Sequence, residues 1–355
     1  MPSHPHRGGP LRRIVGFILL GLGVFAVALG LLLRFYAYPQ LAKIPLEQES
    51  TAVAKGNGIT ALVVRTVNGA PQPEIQQNLS LTSTTYVTGD LTQPEVVADG
   101  DVAVYVEAIK TVDDSSGIVI NASVRSLCLD RFSNEAVVPC EGQYTEQQQG
   151  ERVTEDRATI QQPGLSFKFP FGTEQRTYPY YDLSVGKAVD AEFDGEETVQ
   201  GLDTYRFVMQ VPPTKIGDRE VPGSLVGQDD EPSVQAELYY QGTRTLWVEP
   251  ETGIIVIGQQ QLKQELVTDG EEPGEGTTVF DGTLRLDDAT INDNVTKAQD
   301  NMSKLSLLTS WPIAMWIGGA VLIVLAVVLL MAGPQSGRRS GASPPMRRQP
   351  AGAHG

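Results

Sequence analysis

Residues 101–124 read DVAVYVEAIKTVDDSSGIVINASV, and this stretch decides the fold class. Over 101–112 the side chains alternate: Val102, Val104 and Val106 share one face, and Ala103, Tyr105 and Glu107 the other. That is the period of two that a strand imposes. Asp113, Asp114, Ser115, Ser116 and Gly117 form a turn cluster, and 118–124 return as a second apolar-rich run. Together they predict a β-hairpin. Residues 238–248, the turn Glu249-Pro250-Glu251-Thr252-Gly253 and residues 254–259 repeat the plan. Further strands are expected at 60–67, 205–211 and 277–286. Apolar runs of five to ten residues between turn signals point to an antiparallel sandwich or barrel-like sheet rather than βαβ units. Residues 40–58 read as irregular, with Pro45, Gly56 and Gly58 as breakers. Residues 143–162 are polar and read as an exposed helix or loop, and 269–276 (DGEEPGEG) as a solvated loop between strands.

Outward from this β region lie two stretches suited to lipid. Residues 14–33 and 312–332 carry no charge. At ~1.5 Å of rise per residue, each is long enough for a hydrocarbon layer of ~30 Å. The expected architecture is mainly β, a large antiparallel ectodomain between two transmembrane α-helices. Its parts are a basic tail (1–13), a first span (14–34), the β domain (35–290), an amphipathic helix (291–310), a second span (311–332) and a basic tail (333–355). Arg7, Arg12 and Arg13 precede the first span, while Arg338, Arg339, Arg347 and Arg348 follow the second. The positive-inside tendency puts both tails in the cytoplasm, and therefore the β domain outside the plasma membrane. Ala26-Val27-Ala28 offers a cleavage-like site, but the apolar run continues to Leu33, which favours an uncleaved signal anchor. Pro39 is expected to stop the first helix. Small residues four apart, Ala26/Gly30 and Ala314/Gly318, offer a close packing seam for the spans. Ile291, Val295, Ala298, Met302 and Leu305 recur at helical spacing, predicting a helix that packs on the β domain. The tail after Gly333 is Gly, Ser, Pro and Arg, a composition that stays disordered.

All 43 acidic residues fall within 35–310, against 19 of the 27 basic ones. The field of this segment repels nucleic acid, which is excluded as a partner. The three histidines, His4, His6 and His354, lie in the tails. The β domain therefore has no Ser-His-Asp triad, no Cys-His pair and no histidine-ligated zinc. Acidic pairs such as Asp113/Asp114, Asp229/Asp230 and Asp287/Asp288 lack calcium-loop spacing and read as solvated turns. Ser166 and Lys168 sit two apart on a strand-like run, with no signature of a catalytic pair around them. No cofactor is expected, and the chain is not expected to be an enzyme. Cys128 and Cys140, the only cysteines, predict a disulfide in an exported domain.

One region is more distinctive than its periodicity requires. Residues 164–174 (GLSFKFPFGTE) lead to 178–182 (YPYYD), then 201–207 (GLDTYRF) and 246–253 (LWVEPETG), with 34–39 (RFYAYP) after the first span. In order and motif this resembles the actinobacterial PorA-like envelope proteins across nearly the whole chain. The resemblance implies an actinobacterial cell envelope and a porin label. Two charge-free helical spans flanking acidic loops are not the pattern of a membrane β-barrel. Phe167, Phe169, Phe171, Tyr178, Tyr180 and Tyr181 are expected either to pack a core, three Phe on one strand face, or to line an apolar groove for lipid. The leading expectation is a non-catalytic envelope protein whose ectodomain binds or passes on an apolar component such as lipid. The alternatives are a porin or pore-accessory subunit, and a scaffold that recruits envelope proteins.

Overall fold

Alternation becomes strand pairing throughout the middle of the chain. The computed structural model describes residues 9–67, 69–98, 100–148, 151–153 and 161–331. These divide into two units: residues 37–307, which hold the sheet, and a helical unit from the two ends of the chain.

Among the described residues the sheet has twelve strands. The first half of the chain supplies β1 (Glu49–Val67), β2 (Ala70–Gly89), β3 (Val102–Asp113), β4 (Val119–Asp130), β5 (Tyr144–Gln148) and β6 (Glu151–Val153). The second supplies β7 (Tyr178–Asp182), β8 (Lys187–Val199), β9 (Leu202–Val221), β10 (Val234–Val248), β11 (Ile255–Val267) and β12 (Thr277–Leu286). Their order is β6-β5-β4-β3-β2-β1-β12-β11-β10-β9-β8-β7, with antiparallel neighbours. Each half is a meander of hairpins, and the first strand joins the last. The sheet curls, and backbone bonds reach across from β4 to β7. Val137 donates to Cys128, Ala136 to Gly164, Leu165 to Pro179 and Tyr181 to Leu165, at 2.8–3.0 Å. Leu165 thus pairs with Tyr180 on one side and Glu135 on the other.

Both expected hairpins form, as β3–β4 and β10–β11, and the strand expected at 277–286 is β12. The loop at 269–276 joins β11 to β12 as read. Three expectations need correcting. Residues 40–58 are not irregular throughout, since β1 starts at Glu49. Gly56 and Gly58 mark register shifts within the strand rather than its end, the usual place for a glycine inside a strand. The 143–162 stretch contains β5 and β6 rather than a helix, and Gln143 and Gln162 are buried; residues 149–150 and 154–160 lie outside the described ones. Strands also exceed ten residues: β1 has 19, and β2 and β9 have 20 each.

The first helix, α1 (Gly9–Leu32), runs through a π-helical turn (Leu33–Ala37) into α2 (Tyr38–Leu41). Pro39 does not stop it, because it occupies the first turn of α2, where its missing N–H costs nothing. A short α3 (Pro94–Ala98) precedes β3, and α4 (Asp288–Met331) is one helix of 44 residues with Pro312 inside it. The amphipathic stretch is its beginning. Ile291, Val295 and Ala298 are buried against Val199, Leu202, Val256 and Ile257, with Met302 alongside, so the expected packing on the sheet is observed.

In the helical unit, the helices at both ends are long and apolar enough to cross a membrane. Their close contact does not use the expected four-residue spacing. A Cβ on Gly16 would meet Leu330, on Gly23 Ile323 and the Gly319 carbonyl, and on Gly30 Trp316 and the Pro312 carbonyl. Gly318 faces nothing within 4 Å, while Gly319 abuts the Gly23 carbonyl and Val27. The seam therefore repeats every seven residues, two helical turns, which keeps one face on a crossing partner. Phe35 stacks on Trp316 beside it, with ring centroids 6.3 Å apart.

Candidate functional site

The clearest concavity of the β unit is a cavity of about 670 Å³. It forms because residues 161–177 adopt no regular strand and are pinned from three sides. Gly164 and Leu165 join the sheet edges as described. The β10–β11 turn holds the next part: Phe169 donates to the Gly253 carbonyl at 2.9 Å, Gly172 to Glu251 at 3.1 Å and Thr173 to Pro250 at 2.7 Å. That turn is rigid because the buried Glu249 carboxylate accepts the backbone N–H groups of Glu251 and Thr252, each at 2.8 Å, and the Thr252 hydroxyl.

The third anchor is Arg125 of β4. Its Nε donates to Glu107 of β3 at 2.5 Å, and its Nη1 reaches Gln162 at 3.2 Å and Ser166 at 3.5 Å. Its guanidinium also lies 5.2 Å from the Phe167 ring centroid and 5.7 Å from that of Tyr181. The two side chains of the ion pair are only 6% and 9% exposed. Such a pair fixes a chain strongly, because losing either partner strands a charge in low dielectric.

This anchoring splits the expected aromatic groove. Phe167, Phe169 and Phe171 do not share one face, because their segment is not a strand. Phe169 enters a core with Tyr178, Tyr180, Phe207 and Met209, stacking on Phe207 at 4.6 Å. Tyr180 donates to the Ser166 carbonyl, and burial pushes its hydroxyl up to about 12. Tyr181 is buried beside Arg125. Phe167 and Phe171 instead pack against Ile44, Val87, Tyr105 and Leu129, and both line the cavity. Leu305 and Ile254 add further apolar wall.

Four lysines also line it: Lys43, Lys168, Lys297 and Lys304. Lys168 is unlike the rest. Its Nζ is buried with no hydrogen-bond partner among the described residues, and it sits 3.3 Å from the centre of the Phe171 ring. Burial lowers its pKa to about 7, opposed by the charge of Glu249. In the sequence Lys168 stands out only as a neighbour of Ser166; its burial, with Nζ over the Phe171 ring, is set by tertiary packing that no local pattern encodes.

Cys128 and Cys140 form the expected disulfide, at the end of β4. Of the arginines flanking the helices, Arg12 and Arg13 lie in α1. Arg7, Arg338, Arg339, Arg347 and Arg348 lie outside the described residues.

Residues 15–328 match a family described as Porin PorA. Among curated proteins, Porin PorA of Corynebacterium amycolatum is 25% identical over 209 residues, covering 48% of this chain and 54% of that protein. Porin PorA of Corynebacterium resistens is 29% identical over 157 residues, covering 31% of this chain and 38% of that protein. The chain spans about half or less of the length of these relatives.

Proposed function

This chain belongs to the porin PorA family, and from that premise we propose that it is a non-catalytic, porin-like membrane protein of the actinobacterial cell envelope. The observation that carries the reading is the extent of the family match, which takes in both apolar helices and the β unit between them. The helices cross the plasma membrane, with both basic tails in the cytoplasm, the first helix uncleaved and the β unit outside.

The pore itself is an assembly. Neither apolar stretch, 14–33 or 312–332, carries a charged side chain to stabilise water or ions at the bilayer centre. The inward face of the sheet is filled by apolar clusters such as that around Phe169 and Phe207. A water-filled path thus has to form between copies. The test is conductance across a planar lipid bilayer after adding the purified full-length chain. Stepwise conductance together with an oligomer trapped by crosslinking supports the reading, and silent membranes containing inserted protein count against it.

A specific observation favours a second reading. The cavity beside Phe167 and Phe171 has the volume and apolar lining of a small-molecule site, ~300–1,000 Å³. In this reading the β unit receives an apolar envelope component such as a lipid. An organic extract of the purified full-length chain, analysed by mass spectrometry, tests it: a stoichiometric lipid supports binding, and a lipid-free folded protein argues against it.

A further inference from the structure

The cavity combines apolar walls with one buried cation, and that combination narrows its occupant. Phe167, Phe171, Ile44, Leu129 and Leu305 supply surface that an alkyl chain would cover. Lys168 lines the same space, its Nζ buried and lacking a hydrogen-bond acceptor among the described residues. Glu249, the carboxylate that acts on it electrostatically, is already committed to Glu251 and Thr252. A buried ammonium without an acceptor is costly unless something supplies one. The ring of Phe171 offsets part of that cost as a cation–π contact, but it accepts no hydrogen bond in the plane of a carboxylate.

We infer that the cavity binds an amphiphile bearing a single anionic head group on an apolar chain, with Lys168 as the residue that receives the head group. The inference rests on the lipid-binding reading and names the charge class of the ligand. The chain covers the Phe167–Phe171 wall, and the head group gives Lys168 the charge-assisted hydrogen bond that the protein withholds. The other charges around the cavity do not decide the sign: Lys43 and Lys297 are paired with Asp101 and Asp293 at 2.6 Å, and Glu47, Glu49 and Glu107 line it alongside Lys304, so the preference for an anion rests on Lys168.

The experiment uses the full-length chain in a neutral detergent and a palmitate probe carrying a diazirine, with the site read by peptide mass spectrometry. Its alcohol analogue tests the role of the charge, and sodium acetate as a competitor tests the role of the chain. Expected is saturable labelling of peptides from 167–171 by palmitate, not displaced by acetate. Lys168→Met should weaken palmitate on the order of ten- to a hundredfold while leaving the alcohol unchanged. Lys168→Arg, which keeps the charge, should retain palmitate binding and guard against misfolding as the cause. Equal affinity of the acid and the alcohol for the wild-type chain, or unchanged palmitate affinity in Lys168→Met, overturns the inference while sparing lipid binding itself. Absence of saturable labelling by either probe removes the lipid-binding reading and the inference with it. Displacement by acetate at comparable affinity also overturns it, since the site would then serve a free anion.

Discussion

Gly253 stands where three requirements meet. Its φ of +73° lies in the left-handed region, its carbonyl receives the Phe169 N–H, and a Cβ there would strike the Phe169 carbonyl and lie 2.6 Å from that of Pro170. Gly253→Ala is therefore expected to destabilise the β unit by about 2 kcal/mol or more, read as a lower denaturation midpoint. Arg125 and Glu107 make a second residue-scale prediction. Arg125→Met alone should cost about 3–5 kcal/mol, because Glu107 is left charged and buried. Adding Glu107→Leu should recover much of that loss, so unfolding of the single and double variants separates charge stranding from lost packing. At this scale the sequence is partly readable. Cys128 and Cys140 pair as expected. Phe169 could be read as core, but its separation from Phe167 and Phe171 could not, because it depends on the distant turn at 249–253.

Elements differ in legibility for a reason visible in their composition. β3 was legible because its sequence alternates, although in the structure both faces are buried where it pairs with β4: Ala103, Tyr105, Leu127 and Leu129 in one cluster, Val104 and Cys128 in another. β2 escaped notice because Pro71, Pro73, Gln76 and Gln77 suppress the strand signal at its start, while the pairing that makes it a strand comes from β1. The 40–58 region misled in the same way: its glycines serve register shifts, and only the partner strand reveals that use. For the helices, apolar length was plain in the sequence but the contact face was not. The seven-residue seam predicts that Gly23→Leu overpacks the pair and costs about 1–3 kcal/mol. Gly21→Leu should be tolerated, since no atom lies within 4 Å of a Cβ there. Thermal unfolding of the full chain in detergent, with the two variants side by side, checks the pair.

For the whole molecule, two apolar helices and one curled sheet are the parts that any account of function must use. All the acidic residues lie in 35–310, while the two ends carry arginine and no acidic residue, the charge asymmetry on which the proposed orientation rests. The proposed pore has its water path between copies, because apolar clusters such as that around Phe169 and Phe207 fill part of the sheet's interior and the apolar stretches are charge-free. The cavity beside Lys168 adds a place where an envelope amphiphile would meet the β unit. Conductance of the reconstituted full-length chain in a planar bilayer tests the central claim most directly. The account predicts discrete conductance steps whose frequency rises more than linearly with protein concentration, as an assembly of copies requires. Bilayers that stay silent although the protein is inserted with its β unit on one side would contradict it.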